Sequence, residues 1–439
     1  MTKEDFVQSI NMLNISSKEL LSIARDTGFI QRMRKIDSLD FMYSLAKESM
    51  QGIASYNDIS AAFENINGTP ISRQAIWKKV TEACVLYFQR VLELVILSKA
   101  NEHLINKDNL CKFNRVLIQD STIIQLPRRL LALFSGVSNA TTSVCNARIQ
   151  GVYDLLSGRF MSFTINPYSK NDLTSASELE IAKDDLTLRD RGYLTINEIK
   201  RHLQFGAHCI YRHKLKMKFL DNETGKPIDI LALLKKEGSI DRIVRLNDEE
   251  KTPVRLVAKP VDQATADRRR MKAKKEMRGH NPCKPLLELQ SWTIFITTIT
   301  SDQADFNTLL KIYGLRWRIE TIFKTWKSNM HFARIQNVSK CQLVITIIMR
   351  MIMFLIINQQ IFSPCKKLII THFKKILSLM KLIKYLIRNP SKITLLLIDL
   401  KNNNTIVSYS ISTLARHCVY DTRNRQNFEQ QTSIVYCLS

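Results

Sequence analysis

Near residue 112 the apolar residues stop recurring at three- and four-residue spacing and begin to alternate, and that switch restricts the chain to a mixed α/β architecture. Before it, KELLSIA, LDFMYSLA and VLYFQRVLELVILSKA have the period of amphipathic helices, so residues 1–105 are expected to be helical. After it, RVLIQDSTIIQL predicts a strand ending near Asp120. ARIQGVYDLL and RFMSFTINPY predict two more strands joined by the Ser157-Gly158 turn. SASELEIAKDD then predicts a helix, DLTLRD a short strand, INEIKRHLQ a helix and AHCIYRHKLK a strand. Antiparallel strands first, then strands alternating with helices, give one mixed sheet with helical cover over residues 106–214.

Residues 215–300 interrupt this scheme. IDRIVRL, PVRLVAKPV and WTIFITTI have strand character, and between the last two lies the basic run ADRRRMKAKKEMRGH, ending at Gly279-His280-Asn281-Pro282. The run suits a solvated helix or a DNA-facing arm, and the charge of the whole chain favours DNA. One long helix is expected over 303–330, within a segment 301–340 that closes the core. More apolar, lysine-flecked helix follows over 341–387, within a C-terminal part 341–439 in which LLLIDL and IVSYSIS have strand character. In the N-terminal part, residues 57–83 suggest two short helices around a turn. Asn67-Gly68-Thr69-Pro70 breaks the chain and Ser72 suits an N-cap. Arg73, Gln74, Lys78 and Lys79 then decorate the second helix, as in a helix-turn-helix that reads DNA or in an ordinary packed pair.

Lysine and arginine total 65 against 40 acidic residues, a formal charge of +25. Such an excess suits a polyanionic partner, because displaced counterions supply sequence-independent affinity for phosphates. The nine cysteines form no CxxC, and no Cys/His cluster has zinc spacing, which argues for reduced thiols in a cytosol. LVITIIMRMIMFLII at 343–357 is shorter than the roughly 20 residues of a membrane span. It also carries Arg350 at its centre, so a buried core helix and no membrane association are expected.

The chemistry concentrates in KIYGLRWRIETIFKTWKSNM. Tyr313, Arg316, Glu320 and Lys327 lie at offsets 0, 3, 7 and 14, within a ~60° arc of one helical face. Ile312, Leu315, Ile319, Ile322, Phe323 and Trp326 fill the adjacent apolar sector. By itself this describes an amphipathic helix whose Glu320 pairs with Arg316 and Lys324. The spacing Tyr, two residues, Arg, three residues, Glu, six residues, Lys nevertheless resembles the C-terminal motif of the insertion-sequence-4 family of DDE transposases, with no position missing.

That resemblance implies two upstream aspartates at strand ends. Asp120 follows the apolar RVLI, and Asp190 ends LTLRD before Gly192. It implies a ribonuclease-H-like catalytic core split by a β-rich insertion at 215–300, with helical N-terminal and C-terminal parts. The carboxylates of Asp120, Asp190 and Glu320 would then hold two divalent ions about 3.5–4 Å apart. Mg²⁺ is expected, with Mn²⁺ as substitute, since hard cations prefer oxygen ligands. Tyr313, Arg316 and Lys327 would grip phosphates. Trp292 resembles the tryptophan that relatives stack on a flipped base, although a core tryptophan at a strand start fits its context equally.

The implied protein cuts at terminal inverted repeats in double-stranded DNA, joins the 3′ strands to target DNA, and works as a homodimer in a prokaryotic cytoplasm, associated with the nucleoid. An inactive derivative acting as a repressor, or another ribonuclease-H-like nuclease, would share the basic surface. The nuclease reading leaves the full Tyr-Arg-Glu-Lys spacing unexplained.

Overall fold

The computed structural model describes residues 3–32, 34–51, 54–97, 112–136, 144–157, 159–170, 172–215, 217–276, 282–329, 338–402 and 409–420. The N-terminal part is helical as expected: α1 (Lys3–Asn11), α2 (Ser17–Asp26), α3 (Ser38–Gln51), α4 (Tyr56–Asn67), α5 (Arg73–Lys79) and α6 (Glu82–Leu97). Helices α4 and α5 flank the expected turn. Gly68 closes α4 in the left-handed region at φ 70°, which glycine adopts without a Cβ penalty. Ser72 caps α5 by accepting from the Ala75 N–H.

The strands and helices that follow are β1 (Arg115–Gln125), β2 (Asn146–Asp154), β3 (Arg159–Pro167), α7 (Asp172–Ala176), β4 (Asp185–Arg189), α8 (Ile196–Gln204) and β5 (His208–Arg212). The next segment adds β6 (Phe219–Asp221), β7 (Pro227–Ile228), α9 (Ile230–Glu237), β8 (Ile240–Leu246), β9 (Pro253–Pro260), α10 (Gln263–Glu276), α11 (Lys284–Leu289) and β10 (Trp292–Thr297). All ten strands form one sheet in the order β3-β2-β1-β4-β5-β10-β9-β8-β6-β7. Strands β1, β2 and β3 run antiparallel, and β4 and β5 run parallel to β1. The strands after β5 extend the same sheet through β10, which pairs antiparallel with both β5 and β9.

Alternation along the central strands divides their side chains between two faces. On one face Val116, Ile118, Leu186, Leu188, Ile210 and Phe295 share a core with helices α12 (Phe306–Gly314) and α13 (Trp317–Asn329). The opposite face builds a second core with α8, α9 and α11 around Tyr193, Ile199, Tyr211 and Leu234. The C-terminal helices are α14 (Lys340–Ile357), a π-helical turn at Asn358–Phe362, α15 (Ser363–Phe373), α16 (Leu379–Arg388), α17 (Ser391–Asn402) and α18 (Tyr409–His417). Helix α14 packs between α3 and α6, and α16 packs on α13, so both ends of the chain join the core of the first face. The continuous helix Lys340–Phe373 is long and apolar enough to cross a membrane, but nearly all of its apolar stretch is buried inside the protein. Arg350 is fully buried there and donates through Nε to the Ser49 carbonyl at 2.9 Å.

Several sequence expectations are corrected. SASELEIAKDD is not a helix beyond Ala176, because Leu179 and Ile181 point together into a small core with Leu117 and Val152, an extended rather than helical spacing. LLLIDL belongs to α17, where Ile393, Leu396, Leu397 and Leu400 are buried at intervals of three and four. The described part of IVSYSIS likewise opens α18 rather than a strand. The helix expected over 303–330 is two helices, since Leu315 and Arg316 donate backwards by three residues, to Ile312 and Tyr313, in a tight turn after Gly314. Over 341–387 the helix runs on through the π turn to Phe373 and breaks before Leu379. Residues 98–105 of the expected helical part, Gly158, residues 277–281 of the basic run, residue 330, residues 403–408 and the Trp326 side chain lie outside the described residues.

Candidate active site

Asp120 and Asp190 come together by register. Strand β1 pairs with β4 from Arg115↔Asp185 to Gln119↔Arg189, and each aspartate is the next residue on its strand. Adjacent strands lie about 4.8 Å apart, so two carboxylates one step past the last parallel pair are near neighbours. Asp190 ends its strand as expected. Asp120 does not, because β1 continues to Gln125 on its antiparallel ladder with β2. Alternation directs both away from Gln119 and Arg189 and toward the face that α13 covers.

Glu320 lies in the first turn of α13. Arg316, in the turn before that helix, sets its guanidinium 2.6 Å from Glu320 and 3.8 Å from Asp120. Tyr313, at the end of α12, lies 5.7 Å beneath the same guanidinium and donates its hydroxyl to the Arg189 carbonyl at 3.4 Å. The stripe expected on one helix therefore wraps a break between two. Lys327 is exposed at the rim, where partial burial of its stem lowers the ammonium pKa and the Asp120 carboxylate opposes that shift.

Burial dominates the electrostatics of Asp120. It pushes the carboxyl up to about 7, against a hydrogen bond from the Ser121 N–H and the charge of Arg316, while Glu320 and Asp190 push it further up. Such a group stabilises the fold only while protonated. Its contribution is complete below the ordinary carboxylate pKa near 4 and is lost as pH rises through about 7. In EDTA the wild-type protein is therefore expected to lose thermal stability relative to Asp120→Asn as pH rises from about 4 to about 7, while buried His202 and His213, whose pKa values are lowered to about 4, add a rising slope common to both proteins. Equal slopes in the two proteins would contradict this assignment.

Among the described residues, no three His, Cys, Asp or Glu side chains stand close enough together to hold a metal ion as they are. The Arg316 guanidinium occupies the space between two of the candidate ligands. The donor set still fits a hard divalent cation: three carboxylates, one of them buried and disfavoured as an anion without added positive charge.

The remaining candidates divide into a tryptophan packed at a strand start, two exposed basic residues and one that turns inward. Trp292 opens β10, where its indole N–H donates to the Gly238 carbonyl at 2.8 Å and its ring packs on the second core. On α5, Arg73 and Lys78 are exposed, but Lys79 turns inward to the Phe29 carbonyl at 3.1 Å. Sequence reasoning missed Arg212 and Lys214. Arg212 shares the face of Asp190, Tyr313 and Arg316 and feels their charges, while Lys214 senses Asp190 and donates to the Leu194 carbonyl at 2.9 Å. The signal that could have found Arg212 is the alternation of HCIYR, which turns it inward with Ile210.

Two aspartates on adjacent strands and a glutamate on a covering helix, gripped by arginine, form an acidic centre in a basic surround. Residues 112–356 match the family described as transposase DDE domain, and the chain belongs to it. Within that class it is an insertion-sequence-4 family enzyme, a transposase of insertion sequence elements. It is 26% identical over 388 residues to the transposase for insertion sequence element IS231E of Bacillus thuringiensis subsp. finitimus, covering 82% of this chain and 80% of that one. The transposase for IS231F of Bacillus thuringiensis subsp. israelensis is 27% identical over 351 residues, 74% of this chain and 73% of its own. The transposase for IS1151 of Clostridium perfringens is 26% identical over 404 residues, 86% and 84% respectively.

Proposed function

We propose that the chain cleaves the terminal inverted repeats of its own element and transfers the 3′ strands to target DNA, using Asp120, Asp190 and Glu320. The observation that carries this reading is the placement of Asp120 and Asp190 one step past the last β1–β4 pair, beneath the helix that bears Glu320. The order β3-β2-β1-β4-β5 supports a ribonuclease-H-like core, and the strands from Phe219 to Pro260 support a β-rich insertion that splits it. The three carboxylates would hold divalent cations, Mg²⁺ with Mn²⁺ as substitute. When bound, these supply positive charge to the attacking oxygen, the phosphorus centre and the leaving oxygen.

The chain's own groups do the rest. Arg316 offers a planar fork to a phosphate once Glu320 is engaged elsewhere, and Lys327 adds a point charge at the rim. Tyr313 fixes the Arg316 plane from below and ties α12 to the end of β4. Arg212 and Lys214 extend the positive wall past Asp190. Trp292 is assigned to packing, because base stacking would require its ring to leave the Gly238 hydrogen bond.

Arg316→Ala is expected to slow single-turnover cleavage by about 10²-fold, with Arg316→Lys intermediate, because charge survives in lysine but the fork does not. Equal rates in both variants would remove Arg316 from phosphate positioning.

DNA contact is also assigned to α5, through Arg73 and Lys78 without Lys79, and to α10. Arg269 and Arg270 anchor α10 to the Trp292 and Leu287 carbonyls and to Thr293 and Ser291, leaving Arg268, Lys272, Lys274 and Lys275 exposed. Substituting Lys272, Lys274 and Lys275 together by Gln is expected to reduce the slope of log affinity against log salt by about 2–3, near 0.9 for each phosphate no longer neutralised. An unchanged slope would detach α10 from DNA. The bacterial sources of the relatives support a prokaryotic cytoplasm and nucleoid, and the resemblance to insertion-sequence-4 transposases supports a homodimer that pairs two ends.

A further inference from the structure

Gly151 on β2 lies directly opposite Asp120 on β1. Directly opposed residues of an antiparallel pair share a face, so a side chain at 151 would point toward α13 beside the Asp120 carboxylate. Aromatic rings already fill that place. A Cβ built on Gly151 would meet Phe323 at 3.2 Å, Phe160 at 3.3 Å and Phe163 at 3.4 Å. Phe160 and Phe163 stack with centroids 4.4 Å apart, and Phe160 also meets Phe354 of α14 edge-on at 6.2 Å. Both Phe323 and Phe160 are buried, and α16 packs on α13 as well, so the rings have little room to retreat.

Phe323 stands three residues after Glu320 on α13, and residues at that spacing are neighbours on one helical face. The ring over Gly151 therefore sets the height of α13 above the sheet one turn from Glu320. One strand across from Gly151 is Asp120. We infer that Gly151 is a positioning residue: the missing Cβ lets Phe323 settle on β2 and so fixes the reach of Glu320 toward Asp120 and Asp190. Gly151 touches no reacting atom, and its whole effect passes through Phe323 and the helix. The inference rests on the role proposed for Glu320.

The test is a double-mutant cycle in the full chain on duplex DNA bearing the element's ends. Gly151→Ala is expected to lower the cleavage rate constant about 10-fold and Gly151→Val about 100-fold, with end binding within about twofold of wild type. The half-saturating Mn²⁺ concentration rises in both variants, a change that simple loss of folded protein does not produce. Phe323→Leu, which frees the space over β2, restores most of the rate when combined with Gly151→Ala. Wild-type rate and Mn²⁺ dependence in folded Gly151→Ala overturn the inference, as does a loss that Phe323→Leu leaves untouched. Glu320→Gln is run alongside. If Glu320→Gln cleaves normally, the role of Glu320 fails. If it is inactive while Gly151→Ala behaves as wild type, only the inference about Gly151 fails.

Discussion

Asp120→Asn and Glu320→Gln are each expected to lower strand cleavage by about 10³-fold or more while leaving affinity for the element's ends within about threefold of wild type. Both substitutions keep the shape of the side chain and remove its charge, so what is lost is the anionic ligand rather than packing. For Asp120 the effect on stability has a definite sign, because burial already pushes its carboxyl up to about 7. Asparagine removes a disfavoured anion, so the inactive variant is expected to melt at or above the wild-type temperature at pH 8 without divalent cations. Inactivity combined with undiminished stability distinguishes a lost ligand from a misfolded chain. For Glu320→Gln, Arg316 loses its 2.6 Å ion pair but keeps Asp120 nearby, so only a small change in stability is expected. Retained cleavage in either variant would remove that residue from the active site.

Glu198→Leu is expected to destabilise the fold by about 3–5 kcal/mol, read as a lower urea midpoint with an unchanged slope. Arg189 is completely buried, and its Nη1 lies 2.6 Å from Glu198. Its other partners, the Tyr211 hydroxyl at 3.4 Å and the Ala176 carbonyl at 3.2 Å, carry no full negative charge. Removing the carboxylate leaves a guanidinium in the second core with its desolvation uncompensated. Arg189→Met combined with Glu198→Leu removes both charges and is expected to recover most of the loss. Failure of the double variant to recover would place the loss outside Arg189, in the second partner of Glu198, Arg201 at 3.3 Å, or in the neutral contacts of Arg189. Since Arg189 precedes Asp190, the pair also steadies the end of β4, and cleavage by Glu198→Leu is expected to fall even at temperatures where the variant remains folded.

The candidate stripe Tyr313, Arg316, Glu320 and Lys327 was legible through its resemblance to a family motif of fixed spacing, and the candidate Asp190 because Gly192 and the short LTLRD mark a strand exit. The position of Asp120 was only half legible. Its place beside Asp190 follows from where β4 stops, a fact about another segment, whereas RVLIQDSTIIQ continues as strand past the aspartate with no break of its own. Glu, Leu and Ala in SASELEIAKDD favour helix locally. Tertiary demand wins there, with Arg201 donating to the Ala176 and Leu179 carbonyls and Asp185 accepting from the Ala182 N–H. The break after Gly314 was hidden because Tyr313 and Arg316 keep helical spacing through a tight turn. Gly151 carried no sequence signal at all, since its meaning depends on Phe323, which reaches it from 172 residues further along the chain.

The most direct test is cleavage of a duplex bearing the element's own end by the wild-type chain, in Mg²⁺ and in EDTA. Cleavage that leaves a 3′ hydroxyl at the element boundary in Mg²⁺ and ceases in EDTA is the expected result. Tight binding of the end without cleavage in Mg²⁺ or Mn²⁺, or equal cleavage in EDTA, would contradict a cation-dependent site at Asp120, Asp190 and Glu320.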